Sequence, residues 1–408
     1  MNFRWIFIAL LSIPSVALAA ENDALTENPA LTLHEVLQKA VERNPQRYVL
    51  QAMDGDVQAR YMHARGVLPA APAVSLRHLN DTIGSGRGER EWEAELELPV
   101  WLPGQRNARQ AVASESQADL AASREGLALQ VAGVLRDTVW DIAMNANNVD
   151  VVRQRLHTTE SLQHDVERRY QAGELAKTDF MLAQNETLQA RAALLRAEAE
   201  LRHAQHRYTV LTGLSDIPAR TDELLSDKTG LNDQHPLLRE AEAKIALAQN
   251  ERELVRVERR ENPQLMLAAR SQRGAFDNQY NDSIGFKVRI PFESESRSAP
   301  MLAAAETNVA KAMSERERLQ YVMETALHEA EHNLEVTRAE LGVVTQQNQI
   351  AQDNLRLGKK AFALGETDLV SLMRVQSLAY EAERALSSRK IQLQWDTARY
   401  NQAVGVLP

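Results

Sequence analysis

The segment EWEAELELPV at 91–100 alternates without a break. Trp92, Ala94, Leu96, Leu98 and Val100 are apolar, and Glu91, Glu93, Glu95 and Glu97 between them are acidic. A period of two sends successive side chains to opposite faces of a strand, so one face is apolar and the other charged. SIGFKVRIPF at 283–292 repeats the pattern, with Ile284, Phe286, Val288 and Ile290 set against Ser283, Gly285, Lys287 and Arg289. AVSLRHL at 73–79 and QLMLAAR at 264–270 read as further strands, and the Gly-containing segments NDTIGSGRGER and SQRGAFDNQYND join each pair as a hairpin. Two settings fit: a soluble sheet with one solvated face, or a membrane β-barrel. In the barrel, Glu91, Glu93, Glu95, Glu97, Lys287 and Arg289 face the lumen and the apolar positions face lipid. Trp92, Trp101, Phe276, Tyr280 and Phe292 lie near strand ends, where an aromatic girdle would place them. Four strands cannot close a barrel and an open edge is not tolerated in hydrocarbon, so the membrane setting requires several chains.

Between the hairpins the period changes to that of helices. Residues 103–172 hold Gly only at 104, 126 and 133 and no proline after Pro103. At 1.5 Å per residue this predicts a helix of about 105 Å. Leu120, Leu127, Val131, Leu135 and Ile142 form a coiled-coil stripe along it. A turn follows at Gly173. A returning helix over 178–211 is interrupted by TGLSDIP, and a second piece over 236–261 is expected to stack on it. In the second half the returning stack is expected to be completed by an N-terminal helix over 33–66, opened by a capping box of Thr32 and Glu35.

The chain is written twice. YQAGELAKTDFMLAQ from Tyr170 resembles FALGETDLVSLMRVQ from Phe362 at an offset of 192, and 11 of 44 residues match without a gap from Tyr170 to Gly213. The matches include Gly173 with Gly365, Tyr208 with Tyr400 and Gly213 with Gly405, while Pro99 pairs with Pro291. The domain reading is a signal peptide at 1–19, a first repeat at 20–213, a linker at 214–230 and a second repeat at 231–405. The signal peptide rests on Arg4, an apolar run from Trp5 to Leu11 and an Ala17-Leu18-Ala19 cleavage site.

Composition narrows the function classes. The net charge of −9 argues against a nucleic-acid partner. The absence of cysteine removes disulfides, thiolate metal sites and an acylated N-terminal cysteine. With 5% aromatics, small-residue packing of long helices is favoured over one large globular core.

These residues together resemble the TolC-like outer-membrane efflux family over essentially the whole mature chain. LTLHEVLQKAVERNP looks like its N-terminal signature, and the paired segments at Tyr170 and Phe362 look like its two helix-turn-helix tips. The fold class implied is mainly α with a membrane β-barrel: a long coiled-coil helical barrel plus four strands per chain, internally duplicated. The resemblance further implies a homotrimer with a twelve-stranded barrel in the outer membrane of a Gram-negative bacterium and a tunnel of twelve helices in the periplasm. Its partners would be a periplasmic adaptor and an inner-membrane pump. Ala172, Gly173, Glu174, Leu364, Gly365 and Glu366 match the adaptor-contacting turns. For the entrance, Asp179 keeps the acid six residues past the first glycine. The second tip departs from the family pattern, with Ser371 and Arg374 where aspartates are expected; Asp368 is the acid nearest them. ELPVWLPGQRNAR at 97–109 is similar to branches that accompany heavy-metal or cation pumps.

Two histidine motifs compete with this reading. HEAEH at 328–332 fits H-E-x-x-H, in which His328 and His332 would bind zinc and Glu329 would act as base. The repeat partners of the two histidines are Arg136 and Trp140, and Glu324, Glu331 and Glu335 surround them, so the motif reads as a solvated helix face. His203 and His206, spaced i, i+3, have Trp395 and Ala398 as counterparts and read as surface residues. No enzyme activity, catalytic residue, metal or cofactor is expected. The other function classes are a soluble periplasmic coiled-coil adaptor, which would lack four amphipathic strands, and a secreted zinc protease, which would need a third ligand.

Overall fold

Strict alternation forms the strands where the sequence places them. In the computed structural model, which describes residues 25–292 and 295–408, β2 (Ala73–Asn80) pairs antiparallel with β3 (Arg90–Pro99). In the second half β5 (Gln264–Arg273) pairs with β6 (Asn281–Arg289), and β3 joins β5, giving one four-stranded sheet in the order β2-β3-β5-β6. The signal peptide at 1–19 lies outside the described residues.

The long helices also follow the sequence. α3 (Gln105–Gln171) descends from the sheet, and α4 (Lys177–Thr212) returns. α6 (Glu295–Ala363) and α7 (Leu369–Ala403) repeat the pair, while α5 (Pro236–Val257) leads into β5. The N-terminal helix, expected as one piece over 33–66, is two: α1 (Leu33–Arg43) and α2 (Arg47–Arg65). Pro45 causes the break, because the residue before a proline is pushed out of the helical region, and Asn44 is extended at ψ 131°. The capping box at the start of α1 forms. The Glu35 amide donates to Thr32 Oγ1 at 3.2 Å, and the Thr32 amide donates to Glu35 Oε2 at 2.9 Å.

The stacking of the short helices is exchanged relative to the expectation. α4 does not continue into α5. It ends at Gly213, where Arg43 Nε of α1 donates to the Val210 carbonyl at 3.2 Å. Val36, Leu37 and Ala40 of α1 pack on Ala204 and Tyr208 of α4 and on Leu127–Ile142 of α3. From there α2 runs beside the upper part of α3, with the Tyr61 hydroxyl 2.9 Å from Gln117 Oε1 and Arg106 Nε 3.1 Å from the Ala64 carbonyl. α5 instead continues α7. Gly405, at φ +76°, lies so close under His235 and Pro236 that a Cβ there would come within 2.6 Å of the imidazole. α5 then runs between α3 and α6, tied by Arg239–Glu125 at 2.5 Å and Arg316–Glu242 at 2.9 Å.

The crossing that enforces this exchange is the segment 214–235. Its short strand β4 (Asp216–Pro218) pairs in parallel with β1 (Thr26–Asn28). Beyond it, Glu223 accepts a two-pronged bond from the buried Arg136 of α3 at 2.8 and 2.6 Å. Asn401 of α7 donates to the Leu224 carbonyl at 2.9 Å and accepts from the Ser226 amide at 2.9 Å, and the Tyr400 hydroxyl reaches the Lys228 carbonyl at 2.8 Å. The segment is thereby held across the end of α7 and delivers the chain to α5. Near the sheet the helices lie in the order α2-α3-α5-α6, as the strands they adjoin, and toward the tips in the order α4-α3-α7-α6. The protomer is a wall four elements wide throughout.

His235 sits at the α7–α5 seam. Its ring is buried and Nδ1 accepts from the Leu237 amide at 3.3 Å, capping α5. Burial pushes its pKa down to about 4, with nearby Lys228 acting the same way and the Ala403 carbonyl opposing. The folded ring therefore stays neutral to about pH 4, while the unfolded chain takes up a proton near 6.5. This group's contribution to stability is complete above about pH 6.5 and is lost as pH falls from there toward 4. His235→Asn retains a capping acceptor. Thermal midpoints measured from pH 7 to 4 should therefore fall less steeply for the variant than for the parent; equal slopes would contradict the assignment.

Candidate functional site

The pairing register sorts the sheet into two faces. Val74 and Leu76 of β2 oppose Leu96 and Ala94 of β3, which oppose Leu267 and Ala269 of β5, which oppose Phe286 and Ile284 of β6. All eight are apolar and lie on one face. That face is uncovered: Leu76 is 81% and Ile284 91% exposed. At the hairpin end His78 stacks on Trp92 at 3.9 Å.

The opposite face gathers the charges that the alternation predicts for it. Glu91, Glu93, Glu95 and Glu97 line β3 and Arg270 lies on β5, while Arg77 of β2 and Lys287 and Arg289 of β6 lie at the flanks. Arg270 Nη2 is 2.8 Å from Glu91 Oε2, and Arg77 Nη1 is 3.7 Å from Glu93 Oε2. Opposed charges one strand apart offset the repulsion within the acidic run. Among the described residues the outer edges of β2 and β6 have no strand partner, and no helix is long and apolar enough to cross a membrane.

At the far end, the two tips are built alike. α3 ends with the Gly173 amide donating to the Tyr170 carbonyl at 3.0 Å and the Glu174 amide to Arg169 at 2.9 Å. α6 ends with Gly365 to Phe362 at 3.2 Å and Glu366 to Ala361 at 2.9 Å. This is the six-to-one, five-to-two pattern that needs a left-handed residue just past the helix, and the glycines supply φ of +80° and +77°. Ala172, Gly173, Glu174, Leu364, Gly365 and Glu366 are all exposed, and a Cβ on either glycine would meet nothing within 4 Å. Beneath the turns Leu162, Val166, Ala183, Phe362, Leu369 and Leu372 form one cluster, with Arg169 5.0 Å over the Phe362 ring, so the two tips pack as a unit.

The entrance acids are engaged locally. Asp179 accepts from the Ala176 amide at 3.3 Å, and Asp368, the N-cap of α7, accepts from the Ser371 amide at 2.8 Å. Bonds from the Ser371 hydroxyl and amide hold the Asp368 carboxyl below the usual carboxylate range. The two repeats thus cap equivalent turns with acids at different positions. Ser371 and Arg374 are exposed on the first turns of α7.

His328 and His332 lie on the exposed side of α6 with rings 6.4 Å apart, and His203 and His206 on the exposed side of α4. Among the described residues of one chain, no group of three or more His, Cys, Asp or Glu is gathered as a metal ion would require.

The outer helices of the wall carry exposed apolar residues at heptad spacing: Met181, Leu188 and Leu195 on α4, and Val336, Val343, Ile350 and Leu357 on α6, with Leu364 just past its end. The seven-residue period was legible, but that these stripes face away from the chain's own core was not.

No family model matches the chain, and no curated protein does. Solved structures do match. A membrane protein from Pseudomonas aeruginosa superposes with a TM-score of 0.74 at 17% identity, covering 94% of this chain and 92% of that one. The outer membrane protein VceC from Vibrio cholerae gives 0.73 at 15%, covering 92% and 96%. The CmeC outer membrane channel of Campylobacter jejuni gives 0.72 at 12%, covering 91% and 85%. The chain has the fold of these membrane proteins over nearly its full length.

The α7 cap gives a local test. Asp368→Ala should destabilise the start of α7 by about 1 kcal/mol, whereas Asp368→Asn, which keeps an acceptor, should cost much less. Amide exchange at Ser371 reads this directly; equal exchange in both variants would mean that the carboxylate does not cap.

Proposed function

We propose that this chain, with the fold of an outer-membrane channel, is one protomer of a homotrimer that serves as the exit duct of a tripartite efflux system. The sheet carries the proposal: one face is apolar across all four strands and uncovered, and among the described residues both edges lack strand partners. In water that surface favours aggregation. In a bilayer it faces lipid, provided that copies pair β2 with β6 and close the barrel. The apolar stripes on α4 and α6 lie on the same two sides of the wall and support closure of the helical part in the same way. Glu91, Glu93, Glu95, Glu97, Lys287 and Arg289 then line an aqueous lumen, and the signal peptide would direct the chain out of the cytoplasm.

The tips are the proposed docking surface for a periplasmic adaptor, which in turn holds an inner-membrane pump. Support comes from two matching exposed turns, each with open space over its glycine. A soluble coiled-coil adaptor is the other reading of the long helices, and it leaves the exposed sheet face without a use.

Recovery of the protein in the outer-membrane fraction is expected, and recovery mainly as a soluble periplasmic monomer would end this reading. Leu96→Arg or Val288→Arg, on the apolar face, should impair assembly, since a cation facing mid-bilayer costs about 2–4 kcal/mol per chain. Glu95→Gln should assemble normally. Equal yields of assembled protein from both classes would mean that the faces are assigned wrongly.

Gly365→Trp, and less strongly Gly173→Trp, should leave assembled channels in the membrane but abolish export and cross-linking to the adaptor. The backbone strain at these turns is about 1–2 kcal/mol, too little to unfold so large an assembly. Normal export by the double variant would remove the docking role.

A further inference from the structure

The two histidine pairs on the wall's outer helices lie at one height. His206 of α4 is 33 residues above Gly173, and His332 of α6 is 33 residues above Gly365. The glycines end equivalent turns in tips that pack together, so the counts give comparable distances from the tips, to within the few turn residues that precede α4. The apolar stripes share this ruler. Met181, Leu188 and Leu195 lie 8, 15 and 22 residues from Gly173, and Leu357, Ile350 and Val343 lie 8, 15 and 22 residues from Gly365. One heptad higher, Arg202 at 29 residues is level with Val336 at 29 and beside Glu335 at 30. Two antiparallel helices with apolar residues at matched heights and an opposite-charge pair above them fit as one seam.

We propose that α4 of one copy packs against α6 of the next in this register, and that His328 and His332 of one copy join His206 of its neighbour as ligands for a divalent transition-metal ion such as zinc. The proposal rests on the oligomeric reading above. His328 and His332, at i and i+4 with rings 6.4 Å apart and 10° from parallel, offer two imidazoles on one side of α6. Among the described residues a single chain gathers no third ligand around them, and the neighbouring copy would supply one. His203, one turn nearer the tip, borders the same seam. Three imidazole nitrogens and one water satisfy the four-coordinate preference of zinc. The ion would tie adjacent copies about 50 Å above the tips.

The chain has no cysteine, so introduced thiols report the seam without background. The detergent-extracted assembly carrying His206→Cys and His332→Cys should form disulfide-linked oligomers on oxidation. His206→Cys with Asp353→Cys, about 30 Å out of register, should not. The parent assembly, titrated with zinc chloride, should bind one ion per chain and gain thermal stability. His206→Ala or His332→Ala alone should weaken binding at least tenfold. A mass of one chain in detergent would refute the oligomeric reading itself. An oligomer that fails to cross-link at 206 and 332 would overturn the register. Cross-linking with zinc binding absent, or unchanged in both alanine variants, would overturn the metal site.

Discussion

A strand edge in hydrocarbon must find a partner, because its free amides and carbonyls have no water to bond. Among the described residues the four-stranded sheet of this chain has two unpaired edges and one open apolar face, so in the proposed membrane setting it would not be a finished object. The same incompleteness runs the length of the molecule. The helices form a wall four wide in the order of the strands, and each side of the wall ends in a helix with an exposed heptad stripe. Sheet and helices are unfinished on the same two sides, so the one closing operation proposed would complete both.

The wall keeps its width because the returning helices change partners at mid-length. α4 hands over to α1 and α2, and α7 hands over to α5, with the segment 214–235 crossing between them. Arg136 and Glu223 hold that crossing. Their side chains are almost fully buried and meet through two hydrogen bonds, and Gln402 takes a third guanidinium proton at 2.6 Å. A buried ion pair adds little net stability, but losing one partner strands a charge at a cost of about 3–5 kcal/mol. The pair therefore acts by selecting one path for the chain. Tyr208 and Tyr400, equivalent in the two repeats, take different partners here: the Asp216 carbonyl in one and the Lys228 carbonyl in the other. Duplicated residues thus support two different connections.

The elements were legible in the sequence because each rests on local physics. Alternation placed β3, glycine placed both tips, and the Thr32–Glu35 box placed α1. The break before α2 was also readable from Pro45. The exchange of stacks was not, since it depends on Arg136 meeting Glu223 across 87 positions, and a lone arginine in a helix reads as solvated. Asp179 and Asp368 show the complementary limit. As residue types they suit an aqueous entrance, and only the bond geometry reveals that each one caps a helix.

The most direct test of this account is which face of β3 meets lipid. Cysteine placed singly at residues 93, 94, 95 and 96 can carry a spin label in the reconstituted protein, since the chain has no cysteine of its own. Labels replacing Ala94 and Leu96 should collide preferentially with oxygen, which partitions into the bilayer. Labels replacing Glu93 and Glu95 should collide with a water-soluble nickel chelate. Equal access to the chelate at all four positions, or the reverse alternation, would contradict the account.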